Sequence, residues 1–432
     1  MAGMTDNMPK RAFPAAFRSA AIALAVAAAC AGCSFGLGTG SAATPSASMA
    51  SVPASSIVVT PEGAPAPGTP AAPSASGTAP AGAPASCAQR VFTSMTEAQR
   101  VGQLFLVGVP PDAASPGVAS AIDTYHFGSV LLTATSASVS AVASGTAGIQ
   151  ALATQSATGK VRFLVAANQE GGQVQQLSGP GFATMPSALA QGQLTAGTLR
   201  GDAAQWGSEL KAAGVNLDLA PVMDVVPQAT ASTNGPIGVF DREFGYDPVT
   251  NGTHGAAFIE GLAQAGVAAT AKHFPGLGHV VGNTDTTAGV TDTVTTVNSP
   301  DLGSFRTAIG TGVRFVMIAT ALYTQIDASH LAAFSPAVIQ GLLRQKMGFS
   351  GVVVSDDLGE AKQVLGIPSG QRAVDFLNAG GDLITSQNLG PAETMAVDVL
   401  ADANSSASFR AEVASAVMTV LTAKQAMGLL PC

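Results

Sequence analysis

Eight short apolar runs rich in β-branched residues alternate with helix-like segments from residue 98 onward, and this alternation restricts the fold more than any other feature. Continuously apolar runs are typical of strands that are buried on both faces of a parallel sheet. Eight strand–helix units in roughly 340 residues predict an α/β fold, a (β/α)8 TIM-like barrel with a single catalytic domain. A doubly wound sheet is the alternative, but no Gly-rich phosphate loop follows the first run. The runs are residues 102–109, 128–134, 161–168, 215–225, 267–274, 313–320, 351–357 and 381–386.

Polar residues end three of these runs. Asn168-Gln169-Glu170, Lys272-His273 and Asp356-Asp357 each follow directly on apolar sequence. Because the carboxyl ends of barrel strands meet at one mouth, these clusters are expected to converge there. The sequence therefore predicts an active site at that end of the barrel.

The first 32 residues have the pattern of a secretion signal. Lys10, Arg11 and Arg18 precede an apolar run over residues 20–29, which is too short to span a bilayer. We therefore assign residues 1–32 to a signal peptide.

A cysteine follows the apolar run in a context that resembles a bacterial lipobox. In the triplet Ala31-Gly32-Cys33, the cysteine would be lipid-modified after cleavage; an ordinary signal peptide with an incidental cysteine is the alternative. Residues 33–86 are rich in Ala, Ser and Pro and have Glu62 as the only charge, which is typical of a flexible tether. The catalytic domain, residues 87–432, is thus expected outside the cytoplasm, lipid-anchored to the cell membrane.

An oxidising location changes the interpretation of the last two cysteines. Cys87 lies where the linker ends, and Cys432 is the last residue of the sequence. A disulfide between them is expected in such a compartment, and two buried free thiols are the alternative.

Charge and acid spacing exclude other classes of ligand. The net charge is −8, and no Lys/Arg cluster occurs beyond the first twenty residues, so a nucleic-acid partner is not expected. The acidic residues do not cluster at ligand spacing, so neither a metal nor an organic cofactor is predicted.

Five motifs, in their order along the chain, resemble those of the family 3 glycoside hydrolases. Within that family the similarity is to the single-domain β-N-acetylglucosaminidases, and it covers about residues 98–428. The motifs are NQEGGQVQQ from residue 168, DLAPVMDV from 218, IGVFDREFG from 237, AKHFPGLG from 271 and GVVVSDDLG from 351.

The resemblance implies roles for individual residues. Asp356 would be the nucleophile of a retaining mechanism, which needs a second, protonated group about 5 Å away. Arg242, Lys272 and His273 would bind the sugar, together with Asn168. The structural alternatives are helix capping for Asp356, a surface ion pair with a neighbouring acid (Asp241 or Glu243) for Arg242, and a satisfied core position for His273.

Two departures from the family pattern affect sugar recognition. The family has an acid at the position of Asn168 and an arginine at the position of Gln176.

A third departure affects the proton donor. The family has a histidine at the position of Leu277, and it ends this loop in an Asp-Ser-His triplet whose Asp-His pair is the acid/base. Here the triplet is Asp285-Thr286-Thr287. We therefore assign the acid/base role to Asp285, either desolvated by closure of a loop made mobile by its glycines (Gly276, Gly278 and Gly282) or assisted by His279.

The function implied by the resemblance is a lipid-anchored, retaining exo-β-N-acetylglucosaminidase. Its substrates would be terminal N-acetylglucosamine residues of cell-wall muropeptides or related oligosaccharides. The alternatives are a β-glucosidase or other family 3 specificity, and a lipoprotein that binds glycan without cleaving it.

The lipobox interpretation predicts the effect of one substitution. Cys33→Ala removes the only thiol of the triplet, so the protein should move from the membrane to the soluble fraction when cells are fractionated. An unchanged partition would contradict the lipid anchor.

Overall fold

The computed structural model describes residues 85–110 and 115–432. The predicted signal peptide, Cys33 and nearly all of the predicted linker lie outside these residues. No helix in the described part of the chain is both long and apolar enough to cross a membrane.

Eight parallel strands close into a barrel, as the eight apolar runs predict. Each strand pairs with its neighbours in sequence, and the last pairs with the first, Phe105 opposite Ile384. The observed strands are shorter than the apolar runs because the flanking residues leave the sheet as loops. The strands are β1 (Phe105–Val109), β2 (Ser129–Leu132), β3 (Leu164–Ala167), β4 (Leu217–Asp218), β5 (Ala268–Phe274), β6 (Phe315–Ile318), β7 (Val352–Asp357) and β8 (Leu383–Ser386).

Helices surround the barrel and bury the outer faces of the strands. In β7, Val352, Val353 and Val354 are all fully buried, which agrees with strands covered on both faces. The α-helices are α1 (Cys87–Ser94), α2 (Glu97–Gly102), α3 (Pro116–Tyr125), α4 (Val139–Ala151), α5 (Gln155–Thr158), α6 (Ala188–Gln191), α7 (Ala196–Ala212), α8 (Pro248–Ala265), α9 (Leu302–Gly310), α10 (Ser369–Asn378), α11 (Leu389–Ser405) and α12 (Ala407–Ala426).

A helix of π type over Ala337–Lys346 lies between β6 and β7. The hydroxyl of Ser335 accepts a hydrogen bond from the Val338 amide at 3.2 Å, and Gly348 adopts φ +73° after the last turn. Ser335 and Gly348 thus bound this helix, as a hydroxyl before a helix and a glycine after it commonly do.

The loops between these elements contain short strands and 3₁₀ turns. A three-stranded sheet joins Thr291–Asp292, Leu322–Tyr323 and Asp327–Leu331, and two ribbons join Thr135–Ser136 to Leu177–Ser178 and Gln169–Gly171 to Val174–Gln175. The 3₁₀ turns cover Gln228–Thr233, Gly238–Phe240 and Ala332–Phe334.

Helix α12 packs beneath the amino ends of the strands and closes that end of the barrel. The fully buried Lys424 donates hydrogen bonds to Gln103 Oε1 at 2.8 Å and to the Gly128 carbonyl at 2.7 Å, and burial lowers its pKa to about 7. A disulfide joins Cys87 to Cys432 at this end, the pairing expected from the sequence, with the Cα atoms 6.0 Å apart. The start of α1 and the end of the chain are therefore fixed together on the face opposite the carboxyl ends of the strands.

Candidate active site

A cavity of about 310 Å³ opens at the carboxyl ends of the strands. All six residues that the sequence assigns to catalysis or sugar binding line it: Asn168, Arg242, Lys272, His273, Asp285 and Asp356.

A larger cavity of about 840 Å³ lies at the other end of the barrel. It is lined by residues that precede strands, such as Val267 and Arg314, and none of the described residues around it has a carboxyl group. Groups suited to acid–base or nucleophilic chemistry are thus found in the smaller cavity.

Glu170 is the electrostatic centre of the smaller cavity. Its two oxygens accept hydrogen bonds from Arg242 Nε and Nη2, each at 2.8 Å, and Lys272 Nζ lies 2.6 Å from Oε1. Burial alone would raise the pKa of Glu170, but the charges of Arg242 and Lys272 outweigh it and lower the pKa to about 2. The carboxylate is therefore ionised at all physiological pH values and holds both cations at the wall of the cavity.

The partners of Arg242 exclude the surface ion pair considered from the sequence. Its guanidinium binds Glu170, donates to the Pro236 carbonyl at 2.8 Å, and lies 3.5 Å from His273 Nε2. Neither of the acids adjacent to it in sequence, Asp241 and Glu243, is bound to it. The turn over Gly238–Phe240 carries the arginine from the loop after β4 back over the cavity.

Asn168 and Lys272 form a second contact between β3 and β5. Lys272 Nζ donates to Asn168 Oδ1 at 2.8 Å. Gln176, at the other departure from the family pattern, accepts from the Asn168 amide at 2.9 Å and does not line the cavity. Gln176 therefore braces the backbone of Asn168.

His273 is held by a carboxylate that sequence reasoning missed. Its Nδ1 lies 2.7 Å from Asp224 Oδ2, while Asp224 Oδ1 accepts from the amides of His273 and Leu277 at 3.1 and 2.9 Å. The imidazole is buried but lines the cavity, so it is more than a satisfied core histidine. A usable signal was present, since Asp224 ends the fourth apolar run just as Asp356 ends the seventh.

The two adjacent acids at the end of β7 have different surroundings. Asp357 accepts from the amides of Gly359, Glu360 and Gln387 at 2.9, 3.1 and 3.0 Å, and so it braces two loops. Asp356 lines the cavity and accepts only from the amide of its neighbour, at 2.9 Å. The helix that the pair was considered to cap is absent, since α10 begins only at Ser369.

Asp285 lies across the same cavity on the loop after β5. The residue is exposed at the rim, yet partial desolvation and the negative charge of Asp356 raise its pKa to about 6. Its carboxyl group therefore keeps a proton to a much higher pH than a free aspartate does.

His279 does not take the place of the missing loop histidine. Its Nε2 lies 2.9 Å from Asp301 Oδ2, and the residue does not line the cavity. The hydrogen bond to Asp301 raises the pKa of His279, so its charge is compensated there and not at Asp285.

One of the glycines predicted to make this loop mobile, Gly278, also has a packing role in the structure. Leu277 is buried, and the Tyr323 hydroxyl donates to the Gly276 carbonyl at 2.8 Å. A Cβ atom on Gly278 would overlap the Val225 carbonyl oxygen, so this glycine permits a close approach of two loops. The glycines let the loop pack tightly.

A cavity at the mouth of a (β/α)8 barrel, with carboxyl groups beside cations that can bind hydroxyls, is typical of a glycoside hydrolase. The chain belongs to glycoside hydrolase family 3, since a sequence profile described as "Glycosyl hydrolase family 3 N terminal domain" matches residues 96–423.

Solved structures of similar proteins support the same class. A β-N-acetylhexosaminidase from Beutenbergia cavernae is 46% identical with a TM-score of 0.76, over 77% of this chain and 99% of that one. A family 3 β-N-acetylglucosaminidase from a Paenibacillus species is 30% identical with a TM-score of 0.69, over 77% of this chain and 63% of that one.

Among characterised sequences, a β-hexosaminidase from Stenotrophomonas maltophilia is 35% identical over 231 residues. The match covers 51% of this chain and 66% of the relative, just under two thirds of its length.

The buried ion pairs of Glu170 predict a large effect of one substitution. Glu170→Gln leaves Arg242 and Lys272 buried without a counter-charge, so the free energy of unfolding should fall by about 3–5 kcal/mol in urea denaturation at pH 7. The pKa of about 2 in the folded protein lies below the ordinary value of 4.5, so this stabilisation is complete above pH 4.5 and fades as the pH falls toward 2.

Glu260→Gln is the matched control, because Glu260 pairs with Arg200 at 2.9 Å while both side chains are nearly half exposed. Its effect should stay below about 1 kcal/mol. An equal loss of unfolding free energy in the two variants would contradict the conclusion that the ion pairs of Glu170 stabilise the site.

Proposed function

We propose that this protein is an exo-acting β-N-acetylglucosaminidase that works with retention of configuration. The observation that carries the proposal is that Asp356 and Asp285 line one cavity, where partial desolvation and the negative charge of Asp356 raise the pKa of Asp285 to about 6. The named activities of the Beutenbergia and Paenibacillus proteins support N-acetylglucosamine as the sugar.

The proposed reaction has two steps. In the first, the Asp356 carboxylate attacks the anomeric carbon while Asp285 gives its proton to the glycosidic oxygen, so the leaving sugar departs as an alcohol and a glycosyl ester forms on Asp356. In the second, the Asp285 carboxylate takes a proton from water, whose oxygen attacks the anomeric carbon and releases Asp356. The proton taken from water restores Asp285 to its acid form. The two inversions together retain the configuration at the anomeric carbon.

The cavity walls supply the proposed binding of the sugar. Arg242, Lys272 and His273 can donate hydrogen bonds to hydroxyl groups, and the amide of Asn168 can both donate and accept. Glu170 and Asp224 orient these donors, so little reorganisation is needed when substrate binds. A cavity of about 310 Å³ that ends among the barrel strands suits one terminal sugar, which favours exo action.

We also propose that the enzyme is lipid-anchored through Cys33 outside the cytoplasmic membrane and acts on muropeptides or related oligosaccharides. The sequence of residues 1–33 and the tether after it support this location. β-Glucosidase activity is the second candidate, because Asn168 and Gln176 replace the charged residues of the family pattern.

Sugar specificity and the nucleophile can be tested together. The full-length protein should hydrolyse nitrophenyl N-acetyl-β-glucosaminide faster than nitrophenyl β-glucoside, and Asp356→Asn should remove nearly all turnover of either. A 5-fluoro glycoside should leave a covalent label on the peptide that contains Asp356. The reverse preference would favour the β-glucosidase, sugar binding without turnover would favour a binding protein, and label on Glu170 would overturn the nucleophile.

The role of Asp285 predicts a dependence on leaving group and pH. General acid catalysis contributes roughly 10²–10⁴-fold and matters most for poor leaving groups, so Asp285→Ala should slow a sugar-leaving substrate far more than a nitrophenyl one. The acid must be protonated, so wild-type kcat/KM on the sugar-leaving substrate should fall as the pH rises through about 6, the pKa of Asp285. This limb should be absent in Asp285→Ala.

The control is Asp123→Ala, which removes an exposed acid on α3 and should change neither the rate nor the pH profile. If Asp285→Ala slows both substrates equally, the proton donor lies elsewhere.

A further inference from the structure

The loop that bears Asp285, residues 277–290 (the acid loop), is tied on one side by a single buried side chain. Asn234 Nδ2 donates to the carbonyls of Leu277, Gly278 and Val280 at 2.8, 3.2 and 2.8 Å. Asn234 Oδ1 accepts from the amides that follow it, at residues 237 and 238, at 3.0 and 2.9 Å. One amide group therefore joins the acid loop to the loop that carries Arg242.

On its other side the acid loop is tied to the segment that follows the nucleophile strand. Gln363 Oε1 accepts from the Val290 amide at 2.8 Å, and Gln363 Nε2 donates to the Val290 carbonyl at 3.1 Å. The backbone amide of Gln363 donates to the Thr284 carbonyl at 3.0 Å, and the backbone amide of Lys362 donates to the Asp285 carbonyl at 3.1 Å. These four bonds span both sides of the acid in sequence.

We propose that Gln363 is a positioning residue for Asp285: it fixes the acid loop against the segment after β7 and so sets the place of the acid relative to Asp356. The inference rests on the proposed role of Asp285. With these bonds in place Asp285 already lines the cavity, so the proposed role needs no separate movement that brings the acid in.

Two observations support this role for Gln363. Gln363 is only half-buried and adds little to the hydrophobic core, yet both of its amide atoms are used in pairing with the backbone of Val290. Within the acid loop no side chain is hydrogen-bonded to the Asp285 carboxyl group, since His279 is bound to Asp301 and the Thr286 hydroxyl donates to the Asn283 carbonyl at 3.5 Å. The position of the acid therefore depends on how the loop backbone is held.

The consequence for catalysis follows from geometry. A displacement of about 1 Å in a reacting group can cost on the order of 10²-fold in rate. Loss of the Gln363 side-chain bonds leaves Val290 with the bond from the Leu322 amide to its carbonyl, at 3.1 Å, and so loosens the loop there while leaving Asp356 and the proposed sugar-binding residues in place. Proton donation should weaken while nucleophilic attack does not.

The experiment is a double-mutant cycle read out on two leaving groups. Gln363→Met keeps the length of the side chain but removes both hydrogen bonds, and Gln363→Ala removes them without adding bulk. Each should lower kcat/KM roughly 10-fold more on a sugar-leaving substrate than on a nitrophenyl one. In an Asp285→Ala background, Gln363→Met should change kcat/KM less than about 2-fold, since its effect passes through the missing acid.

Gln371→Met is the matched control, because Gln371 is an exposed glutamine on α10 that bonds only to Asp375, at 2.7 Å. It should leave both rates unchanged, and thermal unfolding should show that the Gln363 variants remain folded. Equal losses on both substrates, no loss, or a full further loss in the Asp285→Ala background would each overturn the positioning role. If Asp285→Ala itself lacks the leaving-group effect, the acid assignment fails, and the positioning role fails with it.

Discussion

The buried contact of Glu170 with Arg242 and Lys272 is the interaction on which the rest of the site depends. Three charges from three segments of the chain lie close together with little access to water, where a missing partner costs several kcal/mol. Because each partner of Glu170 comes from a different segment, the full set of ion pairs forms only when the three segments have converged. The two cations proposed to bind the sugar are thus held by a residue that need not contact it.

Carboxyl groups around the cavity differ in proton affinity because their surroundings differ. Two adjacent cations keep Glu170 ionised, whereas partial desolvation beside a second negative charge raises the pKa of Asp285 to about 6. Asp218, beneath them in β4, is fully buried; burial raises its pKa despite the hydrogen bond that it accepts from the Gln169 amide at 3.0 Å. Carboxyl groups in and beneath one cavity therefore differ in pKa because their charges and burial differ.

The sequence predicted the features that depend on local pattern. Apolar runs predicted the strands, and polar residues at the ends of those runs predicted which side chains meet at the barrel mouth. Contacts between distant loops were not predictable, because nothing near Asn234 or Gln363 indicates a partner some fifty or seventy residues away. The packing role of Gly278 was not predictable for the same reason, because only the neighbouring Val225 carbonyl shows that this glycine permits a close approach of two loops.

The disulfide and α12 lie at one end of the barrel and the candidate active site lies at the other, which affects how substrate can reach the site. The described chain begins beside Cys432 at the closed end, while the cavity opens at the other end. Anything attached ahead of residue 85 therefore joins the face turned away from the catalytic groups. A glycan could approach the open mouth without passing residue 85, so the proposed lipid tether need not compete with substrate.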